Sequence, residues 1–152
     1  MMVLDMLRSC FMAMMLVAVS ISDVRHRTIS DVLVLGIIMV QACYLAATAA
    51  SASQAVRSVL SHAGSAALVE GVLLVACAIA HRITGHDGMG GGDVKLIGAL
   101  AFALGVRGLA QAVFAASLIA VAFSFMKRRA MDETFPFCPY LSLGWLVAQI
   151  IG

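Results

Sequence analysis

The sequence predicts an all-α fold, a polytopic membrane helix bundle of about six transmembrane helices. Of its 152 residues, 62% are hydrophobic and only 12% are charged, and the mean hydropathy is +1.03. The apolar residues also fall in long runs, which is not the pattern of a soluble domain. We interpret residues 1–152 as a single membrane-embedded domain surrounded by the lipid bilayer.

Four apolar runs approach the roughly 20 residues that a helix needs to cross a bilayer. In chain order they cover residues 4–21, 32–50, 63–80 and 108–126. Two shorter runs, 94–105 and 141–151, complete the count of six if they are tilted or extended by flanking residues. The Ser- and Ala-rich stretch 50–65 is interpreted as an outer loop that carries a surface helix.

The basic residues indicate the orientation, since cytoplasmic loops carry an excess of Lys and Arg. With six crossings, one side of the membrane collects seven basic residues, namely Arg25, Arg27, Arg82, Lys95, Lys127, Arg128 and Arg129. The other side collects three, namely Arg8, Arg57 and Arg107. This asymmetry predicts an outside N-terminus, and it places Asp23 and Asp93 together at the cytoplasmic boundary.

The first run has an alternative interpretation as a signal peptide. Ala18-Val19-Ser20 is similar to a cleavage site that follows an apolar stretch. However, Asp5 accompanies Arg8 in the leader, and the basic residues that follow Asp23 would resist translocation. A retained first helix is therefore the preferred interpretation.

Charge and cysteine content argue against several kinds of site. The formal charge of +2 is small and the basic residues form no face, so we expect no nucleic-acid partner. The cysteines lack CxxC spacing, which argues against zinc binding and a disulfide framework and favours core packing. They are Cys10, Cys43, Cys77 and Cys138. His81, His86 and Asp87 match no zinc pattern either, and we expect neither a metal nor a cofactor.

Two acidic residues stand out because they lie where an apolar run meets water. Asp23 ends the first run, where the helix dipole disfavours a negative charge unless it is paired or protonated. Asp31, in contrast, has a structural role available, because it or Ser30 is a good N-cap for the next helix. Asp23 is therefore the stronger functional candidate of the first loop.

The second acid, Asp93, follows a glycine-rich segment that contains Gly90 and Gly92. Glycines allow another backbone to approach closely and allow conformations closed to other residues. The segment matches neither a P-loop nor a dinucleotide fingerprint, so an extended peptide docked beside Asp93 is the favoured interpretation. Asp93 would open a helix whose dipole helps to keep it ionised, so the two acids are expected to differ in proton affinity.

Three motifs together resemble the type IV prepilin peptidases, a family of bacterial membrane aspartyl proteases, and in particular its short forms that serve Flp-type pili. Asp23, Arg27 and Ile29 are similar to a D-x-x-x-R-x-I-P-N pattern. A G-x-G-D-x-K pattern is met by Gly90, Gly92, Asp93 and Lys95. The segment 136–141 is similar to the proline-aromatic entry to the family's last helix. Ser30 and Asp31 depart from the pattern, since they replace its usual Pro and Asn.

The resemblance implies that Asp23 and Asp93 are the catalytic pair of a metal-independent aspartic endopeptidase. Gly90, Gly92, Lys95 and Arg27 are the expected supporting residues of the same site. The implied substrate is a prepilin or pseudopilin leader, cut at the cytoplasmic face of the bacterial inner membrane. Nothing in the chain matches the cysteine-containing region with which longer members N-methylate their product, so the expectation is limited to peptide cleavage.

A small proton-coupled carrier is the alternative function, because carriers also place carboxylates beside broken helices. A carrier would bury its acids near the bilayer midplane, whereas Asp23 and Asp93 fall at helix ends. Glu70, inside the third run, either lines a polar path or bonds to a neighbouring helix, and it is not assigned to the site.

Overall fold

The computed structural model of the chain describes residues 2–26, 29–85, 89–127 and 138–151. All regular structure in these ranges is helical, which confirms the predicted all-α class. The helices are α1 (Met2–His26), α2 (Asp31–Thr48), α3 (Ala52–Thr84), α4 (Gly91–Lys127) and α5 (Cys138–Ile151).

Four of the described helices are long and apolar enough to cross a membrane, which makes the protein a multi-pass membrane bundle. Their candidate spans are Met2–Arg25, Asp31–Thr48, Ala52–Thr84 and Gly91–Phe123. The predicted count of six is therefore too high as a count of separate, long helices. Runs 94–105 and 108–126 both belong to α4, and α5 has only 14 residues.

The stretch 50–65 is not an outer loop, because α3 begins at Ala52 and continues without a break to Thr84. The Ser51 side chain accepts a hydrogen bond from the amide of Gln54 over 3.3 Å and so satisfies one of the free donors of the first turn. No proline or glycine interrupts the turns that follow until Gly64, so the small polar residues extend the helix instead of ending it.

Helix α4 is divided at Gly105, whose backbone has φ 70° and ψ 174° and is not helical. A positive φ of this kind favours glycine, which has no Cβ to clash with the backbone. Before the break, the carbonyl oxygen of Phe102 lies 2.6 Å from Nδ1 of His62. After it, the ring of Phe123 packs 6.0 Å from that of Tyr140, which is near the start of α5. The two arms of α4 therefore run in opposite directions, which explains why the sequence shows two apolar runs here.

Small residues allow α5 to pack tightly against the second arm of α4. A Cβ at Gly144 would collide with the carbonyl oxygen of Ala112 and would lie 3.0 Å from the Cβ of Ala116. Close backbone approach at small residues is typical of helices that pack in membranes. The largest fully buried apolar side chains come from α1, α2, α4 and α5 and belong to one core cluster. They include Trp145, Leu141, Leu96, Leu100, Met12, Leu16 and Ile37.

Polar contacts between helices fix which ends lie together. The hydroxyls of Ser20 on α1 and Ser142 on α5 are 2.8 Å apart, and Arg8 donates to Gln149 over 3.2 Å, so α1 and α5 are antiparallel. Tyr44 donates to Asp5, so α1 and α2 are antiparallel as well. The C-terminal end of α1 and the N-terminal ends of α2 and α5 therefore meet at one end of the bundle.

Candidate active site

The two predicted acids approach each other from opposite helix ends. Asp23 lies in the last turn of α1, and Asp93 lies in the first turn of α4, which starts at Gly91. The amides of Asp93 and Val94 donate to the carbonyl oxygen of Gly90 over 3.0 and 3.3 Å, and these bonds fix the start of α4. The two carboxylates are close enough to interact electrostatically.

A third side chain, Cys138, stands between the two acids. Its thiol donates to Oδ1 of Asp93 over 3.3 Å, and Asp23 lies close enough to act on the same thiol electrostatically. Cys138 is the first residue of α5 and is fully buried. Three helices thus supply one polar group each to a small cluster at one end of an apolar bundle.

One oxygen of this cluster has no protein partner. Oδ2 of Asp23 is buried, and no hydrogen bond reaches it from the described part of the chain. Leaving a buried acceptor without a donor costs roughly 1–3 kcal/mol. This oxygen is therefore the position at which a proton, a water molecule or a polar group of a bound peptide would be stabilised.

Gly92 brings the two sequence motifs into contact. A Cβ built on Gly92 would lie 3.1 Å from the Cβ, Cγ1 and Cδ1 atoms of Ile29. This distance is shorter than most contacts that Cβ atoms make in proteins. The group that lies close to Gly92 is therefore a side chain of the protein itself, whereas the sequence predicted the approach of another backbone, which stays a prediction. At Gly90 a Cβ would meet only Oδ2 of Asp93, at an ordinary 3.6 Å.

The other predicted property of the glycines, an unusual backbone, is not seen at the described positions. Gly85 and Gly105 are the described glycines with positive φ, and neither belongs to the motif. Gly90, Gly91 and Gly92 instead lead into α4 with backbone that other residues also adopt.

Lys95 contacts neither candidate acid through an ion pair. Its Nζ lies 2.7 Å from Oδ1 of Asp31, and both side chains are exposed. This pair links the first turn of α4 to the first turn of α2. Ser30 occupies the N-cap position of α2 but makes no side-chain cap, so Asp31 contributes through its charge and this ion pair.

Several residues of the predicted site lie outside the described ranges. Arg27 is one of them, and so are His86, Asp87 and Gly88 of the glycine-rich segment and the start of the proline-aromatic segment, 136–137. The supporting role of Arg27 therefore stays a prediction.

Glu70, which the sequence does not assign to the site, lies against α4. A Cβ at Gly98 would collide with the carboxylate of Glu70. Gly98 lies five positions after Asp93, which is about 7.5 Å along a helix. Glu70 is thus a neighbour of the arm that carries Asp93 without belonging to the cluster.

The cysteines illustrate what the sequence did not reveal. Core packing is wrong for Cys10 and Cys43, which are exposed on the bundle surface, and Cys77 is only partly buried. Cys138 is buried as predicted, but its hydrogen bond to Asp93 was missed. Its only sequence signal was its place between Phe137 and Pro139 in the third motif.

An apolar groove opens beside the cluster between α1 and α5. It has a volume of about 630 Å³, and its lining includes Val17, Ile21 and Val24 of α1 and Pro139, Leu143 and Leu146 of α5. Val24 and Pro139 are the chain neighbours of Asp23 and Cys138, so the groove lies beside the helix ends that carry the cluster, although neither Asp23 nor Cys138 lines it.

Two carboxylates that share a partly buried site can divide one proton between them, because two close like charges are not both favoured. Such a pair can activate a water molecule with one acid and protonate a substrate oxygen with the other. The arrangement of Asp23 and Asp93 is suited to hydrolysis without any further catalytic group from the protein.

Comparisons with known proteins identify related sequences. The chain is 40% identical over 76 residues to a prepilin leader peptidase/N-methyltransferase of Neisseria gonorrhoeae, a match that covers 49% of this chain and 27% of that protein. It is 37% identical over 71 residues to the protein of the same name from Bacillus subtilis, covering 44% of this chain and 29% of the relative. A third relative of that name, from Xanthomonas campestris, is also 37% identical over 71 residues, covering 43% of this chain and 25% of the relative.

The matched region thus spans only about a quarter of the length of these curated relatives. No solved structure matches the chain. The model of the type IV leader peptidase family, however, matches residues 10–125, a region that contains both Asp23 and Asp93. Since this match covers most of the sequence, the chain belongs to the type IV leader peptidase family.

Proposed function

We propose that the protein is a membrane aspartyl endopeptidase that removes the leader peptide of type IV, Flp-like prepilins or related pseudopilins at the cytoplasmic membrane face. The observation that carries this proposal is the convergence of Asp23 and Asp93 around Cys138 at one end of the bundle. The relatives are named for both leader cleavage and N-methylation. The proposal extends only to leader cleavage, which is the chemistry that paired carboxylates perform.

In the proposed reaction, one aspartate is ionised and the other carries a proton. The ionised carboxylate takes a proton from water as the water oxygen attacks the peptide carbonyl carbon, and the protonated one donates to the carbonyl oxygen. Collapse of the tetrahedral intermediate breaks the C–N bond, and the amine leaves with a proton from the pair. A coupled pair titrates as a unit, so the roles are assigned to the pair and not to either acid.

The groove between α1 and α5 suits a substrate with an apolar helix next to the cleaved bond. Its walls are almost entirely apolar, and they include Val24 and Pro139, the chain neighbours of Asp23 and Cys138. A bound helix could lie against Val17 and Leu146 while the extended residues before it reach the acids. Because both acids lie at helix ends, cleavage at the membrane surface is favoured over cleavage in the bilayer interior.

The cytoplasmic orientation is supported by the positions of described basic residues. Arg25 and Lys95 lie at the end of the bundle that carries the acids, while Arg8 and Arg107 line a polar cavity near its opposite end. These positions agree with the sequence count of seven basic residues on the side of the acids and three on the other, an excess that is expected if the side of the acids faces the cytoplasm. We therefore place the protein in the bacterial inner membrane with its site toward the cytoplasm.

The proton-coupled carrier is not supported by a specific observation. A carrier site requires acids near the midplane of broken helices. The break in α4 lies at Gly105, which is far along the arm from Asp93 and near the opposite end of the bundle.

The proposed function is tested by expressing the chain with a panel of candidate prepilins and pseudopilins in bacterial membranes. Mass spectrometry of each pilin would show whether a new N-terminus appears immediately before its apolar helix. Proton uptake by liposomes that contain the purified protein should stay at the level of empty liposomes. Proton uptake without any pilin cleavage would instead favour the carrier.

A further inference from the structure

Cys138 is a buried titratable side chain that the carboxylate mechanism does not use. Its exposed fraction is 0%, and its thiol bonds to Oδ1 of Asp93 over 3.3 Å. The same thiol lies within electrostatic range of Asp23, whose Oδ2 oxygen is buried and unpartnered by the described residues. A packing role explains the burial of Cys138 but not its position between two acids.

We propose that Cys138 is a positioning residue of the aspartate pair, whose thiol hydrogen bond fixes the Asp93 carboxylate beside Asp23. The thiol does not touch the reacting bond in this account but acts through Asp93. The proposal rests on the proposed peptidase function, because positioning has a consequence only where the pair performs chemistry.

The chemistry of the thiol suits this role. An ordinary cysteine has a pKa of about 8.5, so at neutral pH the thiol carries its proton and can donate a hydrogen bond. A donor to a carboxylate favours its ionised form and restricts its rotation. One S–H group donates to one acid at a time, so its bond to Asp93 makes the two acids inequivalent.

The position of the thiol is held by the start of α5. The hydroxyl of Ser142 bonds to the carbonyl oxygen of Cys138 over 3.0 Å and lies 2.8 Å from the hydroxyl of Ser20 on α1. Among the described residues, the charged groups that act on the thiol are Asp93 from α4 and Asp23 from α1. The groups that act on Asp93 are Asp23 and Cys138 itself.

The first test compares Cys138→Ala with Cys138→Ser in purified protein, using a peptide substrate identified by the coexpression panel. Loss of the donor in Cys138→Ala should lower kcat about tenfold with little change in KM. The acid limb of its pH profile should move to higher pH, because the pair has lost a donor that favours its ionised form. The Cys138→Ser variant keeps a donor and should recover kcat to within about threefold of wild type.

The control is Cys43→Ala, since Cys43 is exposed and precedes Tyr44, whose bond to Asp5 places it at the end of the bundle opposite the acids. Equal membrane levels and thermal stabilities would show that all variants fold. A Cys138→Ala variant with wild-type kcat and pH profile would overturn the proposal. A Cys138→Ser variant as impaired as Cys138→Ala would overturn it too, because that result indicates packing alone.

A second test does not depend on cleavage. With Cys10, Cys43 and Cys77 replaced by alanine, Cys138 supplies the only S–H stretching band in the infrared spectrum. The band should lie at the lower frequency of a hydrogen-bonded thiol and should move in Asp93→Ala. A band at the frequency of a free thiol, with the same frequency in Asp93→Ala, would overturn the proposal even if prepilins are cleaved. The hydrogen-bonded band in a protein that cleaves no prepilin would overturn the proposed function and the positioning role with it.

Discussion

Ile29 and Gly92 are packed so closely that a single added carbon on Gly92 would lie 3.1 Å from three atoms of the Ile29 side chain. Ile29 follows α1 and belongs to the motif of Asp23, whereas Gly92 directly precedes Asp93. The contact therefore couples the segments that carry the two acids. It gives the glycine of the second motif a definite steric role.

Enlarging residue 92 should separate the two acids. We expect Gly92→Ala to lower the rate of cleavage several-fold and Gly92→Val to lower it more than about tenfold, because small displacements of catalytic groups reduce the reaction rate strongly. Initial rates of leader removal at equal protein levels provide the measurement. The matched control is Gly91→Ala, where no atom lies within 4 Å of the added carbon and wild-type rates are expected. Equal rates in Gly92→Val and Gly91→Ala would contradict the steric role.

The ion pair of Lys95 with Asp31 should contribute little, since both side chains are exposed. We expect Lys95→Ala to lower the free energy of unfolding by about 0–1 kcal/mol and to leave cleavage within about threefold of wild type. Asp31→Asn should have the same small effect, and the double variant should add nothing to it. A loss of activity in Lys95→Ala comparable to that of an Asp93 variant would instead place Lys95 in the catalytic machinery.

Gly98 should be intolerant of a side chain because Glu70 occupies the space beside it. We expect Gly98→Ala to destabilise the protein by about 1–3 kcal/mol, the usual cost of overpacking. The measurement is thermal unfolding in detergent, with Gly71→Ala as the control, since nothing lies within 4 Å of a carbon added there. If the collision is the cause, adding Glu70→Ala to Gly98→Ala should restore much of the lost stability. No restoration would assign the loss to another contact.

Gly105 should resist substitution for a different reason, its positive φ of 70°. No atom lies within 4 Å of a carbon added to Gly105, so the cost of Gly105→Ala is conformational and not steric. We expect a loss of about 1–2 kcal/mol of stability. Gly64→Ala, within a regular helix and also in open space, should be neutral or slightly stabilising in the same unfolding measurement. Equal stabilities of the two variants would show that the reversal at Gly105 does not need glycine.

The sequence predicted the helical class and the two acids because both depend on local patterns. Long apolar runs identify membrane helices. A carboxylate at the end of such a run is energetically unfavourable near the bilayer, so its presence indicates a functional site. The reversal at Gly105 falls where the sequence divides this region into two apolar runs, 94–105 and 108–126. The unbroken course of α3 was not predicted, because it depends on the continuation of a helix of small polar residues, which hydropathy does not reveal.

Contacts between segments that are distant in the chain could not be predicted from the sequence either. Cys138 is separated from Asp93 by 45 residues, and nothing in its neighbours indicates a hydrogen bond to that acid. Lys95 shares a motif with Asp93, yet its side chain pairs with Asp31 on another helix. The motifs identified segments whose acids lie near each other in the structure. The side-chain partners of Asp93 and Lys95, however, depend on how α1, α2, α4 and α5 pack.

The most direct test of the aspartate pair compares leader removal from a cleaved prepilin by wild type, Asp23→Asn and Asp93→Asn in membranes that contain equal amounts of each protein. The same assay on Asp31→Asn provides a control acid at the same end of the bundle. We expect Asp23→Asn and Asp93→Asn both to lose cleavage by several orders of magnitude while Asp31→Asn retains it. Cleavage that survives either Asp23→Asn or Asp93→Asn would contradict the paired-carboxylate mechanism.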